Sequence, residues 1–299
     1  MLQSMLSKLL SAQQKRSLKT KFNEVRIKCI KSILGYDRAR LRKALMKCGV
    51  TPGDTLIVHA NFAPDSGFEG DPGDLVNVFA ELVGDNGNLL MVSLPFRGAA
   101  YDYLSQGKAF NVKKTLSMMG LVTELFRRRQ GTLRSLHPTH PVLAYGKNAE
   151  WLVEGHERCL HPCGQGSPFE KFRDLKGKIL FFDVSFGSIT FFHYVEDLLK
   201  ERLPVAVYDD RLFSVPAVNA QGESVVIQTY AFNRMARRRA DKLEVEMSRR
   251  EKIKRGRVGN SRFCMVNAED VVDCFRAMVD SGVPPLEVVD GGNSKAWVR

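Results

Sequence analysis

No stretch of the sequence approaches the roughly 18 consecutive apolar residues that a membrane-spanning helix needs, and no apolar block followed by a small-residue cleavage site opens it. The expected compartment is therefore the cytoplasm. Cysteine is sparse. Cys29, Cys48, Cys159, Cys163, Cys264 and Cys274 are scattered over 299 residues, which excludes a disulfide-stapled fold and fits free thiols in a reducing environment. Between residues 48 and 280 there is neither an internal repeat nor a low-complexity linker, so one domain is the simplest count. With 44% hydrophobic and 26% charged residues, the chain has the composition of a globular protein, and disorder throughout is excluded.

Basic residues far outnumber acidic ones in two segments. Residues 1 to 47 hold only Glu24 and Asp37 against 13 Lys and Arg, a local charge of +11. Residues 234 to 257 carry +7, so with a total of +12 the rest of the chain is mildly acidic. The first 35 residues read as a basic amphipathic arm, with Leu2, Met5, Leu6, Leu9 and Leu10 at helical spacing. Four roles suit such an arm: a solvated or self-packing extension, a weak contact with an anionic membrane surface, an oligomer contact, or a transit peptide.

From residue 36 onward, helical and strand patterns alternate. Arg38 to Lys47 is patterned as a helix, Thr55 to His59 as a buried strand, Leu75 to Val83 as a helix and Gly87 to Leu94 as a strand. Ser117 to Arg129 reads as a helix, Lys178 to Val184 as a strongly apolar strand, and Phe191 to Arg202 as a helix that ends before Pro204. Extended pieces between Val205 and Thr229 point to a mixed sheet. The expected class is α/β, a layered α/β/α sandwich with a mixed central sheet in a single domain over 36 to 280. A partly disordered tail, 281 to 299, is expected to follow.

Three groups could carry chemistry. His193 and Glu196 stand three apart, on one face of a helix, where a carboxylate can orient an imidazole and stabilise its cation. A solvated surface pair is the alternative, but the flank Phe191, Phe192, Tyr194 and Val195 is apolar. His156, Cys159, His161 and Cys163 fall within eight residues, yet their spacing matches no familiar zinc pattern and no second ligand pair follows, so no metal is expected. The basic run Arg234, Arg237, Arg238, Arg239, Arg249, Arg250, Lys252, Lys254 and Arg255 comes with no nucleic-acid motif, and reads as a solvated face with no nucleic-acid partner.

Taken in order, several stretches resemble the aminoglycoside 3-N-acetyltransferase family, a group distinct from the GCN5-related acetyltransferases. They are Val58-His59-Ala60-Asn61-Phe62, Gly87-Asn88-Leu89-Leu90-Met91, Met119-Gly120 through Phe126-Arg127, Arg134-Ser135-Leu136-His137-Pro138, Ser167-Pro168, Thr190 through Glu196, and Gly256 through Asn260. The resemblance spans about residues 37 to 276. It implies an acetyl-CoA-dependent N-acetyltransferase domain of the kind that gives antibiotic resistance, acting on a primary amine of an aminoglycoside or other amino sugar. His193 would be the catalytic general base and Glu196 its acidic neighbour, with His59, Ala60, Asn61, Arg134, Ser135 and His137 near coenzyme A. Transfer to a non-antibiotic amine, such as a nucleotide-linked amino sugar, and a noncatalytic CoA-binding role are the alternatives. Four departures from the pattern, at five positions, stand out. Ala60-Asn61 replaces a serine pair, Pro141 replaces a serine, Asp183 replaces a glycine and Ile189 replaces a residue that is often polar. All four are expected beside the pocket, where they would shift acceptor choice. The +7 segment is expected to favour an anionic acceptor.

Overall fold

A computed structural model describes residues 11 to 289. The expected positions Leu2, Met5, Leu6, Leu9 and Leu10 lie outside the described residues, as does the end of the tail from 290 on. The chain opens with α1 (Ala12–Leu34) and α2 (Arg38–Lys47), followed by β1 (Thr55–Ala60), α3 (Pro72–Val83) and β2 (Asn88–Val92). Then come α4 (Ala100–Leu104), β3 (Phe110–Asn111), α5 (Leu121–Arg128), β4 (Leu133–Arg134), β5 (Val142–Gly146), α6 (Ala149–Val153) and α7 (Pro168–Asp174). The second half runs β6 (Lys178–Phe182), α8 (Phe192–Leu198), β7 (Tyr208–Val218), β8 (Ser224–Phe232), β9 (Ala236–Arg238), α9 (Ala240–Arg249), β10 (Lys254–Val258), β11 (Ser261–Asn267), α10 (Ala268–Asp280) and β12 (Leu286–Val288).

Seven strands form one mixed sheet in the order β10-β11-β6-β1-β2-β5-β4. Its centre, β6-β1-β2, is parallel, and both flanks are antiparallel. Successive side chains on a strand point to opposite faces. The residues of β1, β2 and β6 are apolar at nearly every position because both faces are covered. Leu56, Val58, Leu89, Met91, Leu180 and Phe182 pack with α2 and α3 on one side. Ile57, Leu90, Ile179 and Phe181 pack with α7, α8 and α10 on the other. The layered sandwich with a mixed central sheet is therefore the observed architecture.

Some expected boundaries shift for local reasons. The helix expected from Ser117 begins only at Leu121, because Gly120 sits at φ 98° and the Ser117 N–H is taken by the Glu124 carboxylate, 3.1 Å. The helix expected to run to Arg202 stops at Leu198, where Leu199 turns to φ −110°, ψ 12°; a short 3-10 turn, Lys200–Arg202, follows. The extended pieces after Val205 form the β7–β8 hairpin, but they build a separate three-stranded sheet with β3. The central sheet is mixed because of β4, β5, β10 and β11. Part of the expected tail is also ordered: β12 pairs with β9, and Leu286 is buried. At the β10–β11 hairpin Gly259 takes the left-handed conformation (φ 54°), and a Cβ there would lie 2.3 Å from the Tyr36 ring; glycine is required on both counts.

Candidate active site

The parallel strands end at Ala60, Val92 and Phe182, and the loop leaving β6 leads into α8, so the site grows from the carboxyl end of the sheet, where open α/β sheets generally bind ligands. Phe192 and Val195 of α8, and Leu199 just after it, face the core, which leaves His193 in the first turn with Glu196 one turn below it. His193 Nδ1 lies 2.6 Å from Glu196 Oε1. Glu196 is fully buried, while 23% of the His193 side chain remains exposed. Because the carboxylate only accepts, Nδ1 carries the proton and the lone pair stays on Nε2, which makes no hydrogen bond among the described residues. Burial pulls the His193 pKa below 6.5, the Glu196 hydrogen bond and charge push it back up, and Arg238 adds a downward effect. With part of the ring open to water, burial acts on it only in part. The net result is an imidazole that is neutral at pH 7.

The dyad has a third member that the spacing did not reveal. Arg238 on β9 donates from Nε to both oxygens of Glu196, 2.9 and 3.1 Å, and Nη1 donates to the carbonyls of Asn233 and Ala236. The guanidinium also lies over the Phe232 ring, which in turn stacks on His193 with centroids 4.3 Å apart. His140 meets both His193 and Phe232 edge-on, at 5.6 and 5.1 Å. Arg238 stands 42 positions from Glu196 in a run that the sequence presents as a solvated face, so no local signal marks it. Replacing Arg238 with methionine should cost about 3–5 kcal/mol of stability, as breaking a buried ion pair from one side does. It should also move the acid limb of activity upward, since Arg238 lowers the His193 pKa. Arg238→Met combined with Glu196→Gln should recover stability without recovering rate, and an unmoved pH profile in the single variant would remove Arg238 from the dyad.

The remaining expected site residues are placed as follows. His59 is next to last in β1, with its ring stacked on Phe181 and Nε2 buried without a partner among the described residues; burial lowers its pKa to about 4. Ala60 is half-buried and Asn61 exposed, its N–H held by the Phe182 carbonyl. The Arg134 guanidinium donates to the carbonyls of Thr115 (2.5 Å) and Ser93 (2.8 Å), and burial lowers its pKa to about 9. Ser135 Oγ accepts from the Val142 N–H and bonds His156 Nδ1, 2.8 Å in each case. His137 is fully buried, stacked on His156, and its Nδ1 accepts from the backbone of Thr139 and His140. The Arg134–His140 turn therefore supports the wall behind His193. His156 Nε2 bonds the Pro162 carbonyl, which leaves neither ring nitrogen free for a metal.

Of the four departures, Ala60-Asn61 and Asp183 keep a partly open surface. Pro141 and Ile189 are buried, and Asp183 accepts from Ser261 Oγ (2.6 Å) and the Arg262 N–H (2.8 Å). Asp183 has φ 51°, the left-handed region, which explains why glycine commonly stands there and why Asp is among the few tolerated substitutes. The +7 segment is likewise not a free cationic surface. Seven of its nine named basic residues are in ion pairs: Arg234 with Asp102, Arg238 with Glu196, Arg239 with Asp241 and Glu287, Arg249 and Arg250 with Glu246, Lys252 with Asp270, and Arg255 with Glu244. Its charge therefore gives no support to an anionic acceptor.

Comparison with known proteins agrees with this arrangement. The aminoglycoside 3-N-acetyltransferase family matches residues 57–280. Aminoglycoside N(3)-acetyltransferase III of Salmonella is 30% identical over 174 residues, covering 54% of this chain and 60% of the relative. Aminoglycoside N(3)-acetyltransferase VII of Streptomyces paromomycinus is 24% identical over 174 residues, covering 54% and 60%. The chain thus spans about three fifths of the length of these curated relatives. In structure it is similar to aminoglycoside acetyltransferase AAC(3)-Xa, with a TM-score of 0.74 and 22% identity over 88% of this chain and 99% of that one. It is also similar to AAC-IIIb solved with CoASH, with a TM-score of 0.71 and 20% identity over 83% and 98%. At these identities the likeness shows the fold.

Proposed function

The chain belongs to the aminoglycoside 3-N-acetyltransferase family, and from that premise we propose that it transfers the acetyl group of acetyl-CoA to a primary amine of an aminoglycoside or a related amino sugar. The observation that carries this reading is the His193–Glu196 contact of 2.6 Å, with Nε2 left open. An alkyl ammonium must lose a proton before its nitrogen can attack the thioester carbonyl. The Nε2 lone pair takes that proton, and Glu196, already bonded to Nδ1, stabilises the imidazolium as it forms. Acetyl-CoA supplies the acetyl group; the chain's task is to hold the amine, accept its proton and keep the two substrates adjacent. Of the expected coenzyme set Asn61 is exposed, His59, Ala60 and Arg134 are half-buried, and Ser135 and His137 are buried, so the first four are the members a coenzyme could touch through their side chains. Direct transfer suits this site, because Cys163, a buried thiol within electrostatic reach of Glu196, is pushed well above its usual pKa by burial and the carboxylates of Glu196 and Asp197.

Coenzyme A should raise the melting temperature of the whole protein, by an amount that grows with ligand concentration. Thiol release from acetyl-CoA should then appear with an aminoglycoside or amino-sugar panel and be absent without amine. No thermal shift at millimolar coenzyme A would overturn the acetyltransferase reading. A shift with no thiol release across the panel would favour a noncatalytic CoA-binding protein.

A further inference from the structure

Helix α1 carries two apolar stripes, and the body of the protein uses one of them. Ile27, Ile30 and Leu34 are half-buried against the rest of the chain, and Arg26 ties the helix down through Asp65, 2.6 Å away. Leu18, Phe22, Val25, Cys29 and Ile33, at successive spacings of four, three, four and four, line a second stripe roughly 130° around the helix. This second stripe faces out: Phe22 is 71% and Ile33 80% exposed. Lys15 and Lys19 flank it on one edge and Lys21 and Lys28 on the other, while Glu24, the helix's one acid, lies on the far side. Among the described residues none of those four lysines is in an ion pair.

We infer that this face of α1 docks on an anionic lipid surface. An apolar stripe bordered on both edges by unpaired lysines matches a bilayer that offers acyl chains beneath phosphates, and a helix laid flat can satisfy both at once. A second copy fits poorly, because bringing two such stripes together sets lysine against lysine along both borders. The docking is peripheral: among the described residues no helix is long and apolar enough to cross a membrane.

Co-sedimentation of the full chain with vesicles tests this directly. Phosphatidylcholine vesicles containing phosphatidylglycerol should bind the protein, pure phosphatidylcholine should bind it far less, and added salt should release it. Each lysine near the surface is worth about fivefold in affinity, so Lys15, Lys19, Lys21 and Lys28 changed together to glutamine should lower binding by at least about 10²-fold. Phe22→Asp should do the same through the apolar stripe, and melting curves like those of the unaltered protein would show both variants folded. Failure to sediment with anionic vesicles, or unchanged binding by the lysine variant, would overturn the inference. So would concentration-dependent dimerisation that Phe22→Asp abolishes, which would assign the face to a second copy.

Discussion

Replacing His193 with alanine should lower kcat by at least about 10²-fold while coenzyme A affinity stays within a few-fold of the unaltered protein. The imidazole is needed only as the amine gives up its proton, so its loss is felt in the transition state and not in the binding of either substrate. Glu196→Gln should reduce kcat less. Glutamine can still accept from Nδ1, but it removes the negative charge that stabilises the imidazolium and leaves Arg238 facing a neutral group. The pH profile of kcat/KM offers a second readout. Because the fold lowers the His193 pKa from 6.5, the rate should rise with pH on an acid limb centred below 6.5 and be level at neutrality. If His193 were only a packing residue, the alanine variant would melt earlier and keep its rate per folded molecule. A folded, fully active His193→Ala protein would therefore refute the mechanism.

Elements whose signal is local were legible in the sequence. The apolar runs of β1, β2 and β6 announce strands covered on both faces, and the three-residue spacing of His193 and Glu196 announces a shared helix face; both are present. What the sequence could not show depends on chain segments that meet only in three dimensions. Arg238 reaches Glu196 of α8 from β9, Phe232 reaches His193 from the β7–β8 hairpin, and the pairing partners of residues 234 to 257 come from as far away as Asp102 and Glu287. The Arg134-Ser135-x-His137 turn shows the same limit from the other side. The motif does not announce that its side chains bond backbone carbonyls, His156 and its own turn.

The same wall of histidines makes the fold sensitive to acid. Burial lowers the pKa of His59 and His156 to about 4, and those of His137 and His140 well below 6.5, with His137 further depressed by His156 and His140 by His193. In the unfolded chain all four return to about 6.5. Between pH 6.5 and about 4 the unfolded state therefore binds protons that the folded state refuses, so the stability these residues allow is complete above pH 6.5 and is lost as pH falls. Each histidine contributes a slope of at most about 1.4 kcal/mol per pH unit, so four of them set an upper bound of about 5 kcal/mol on the loss between pH 6 and pH 5, against a typical domain's 5–15 kcal/mol. Carboxylates join only lower down: Glu124, held at about 2 by its hydrogen bonds to Arg127, begins to weaken the fold as pH drops below 4.5. Urea melts at pH 7, 6 and 5 should show this loss, with His156→Gln reducing the slope by about one proton. A dependence of less than one proton over the same range would mean that the buried imidazoles take up their protons within the folded state.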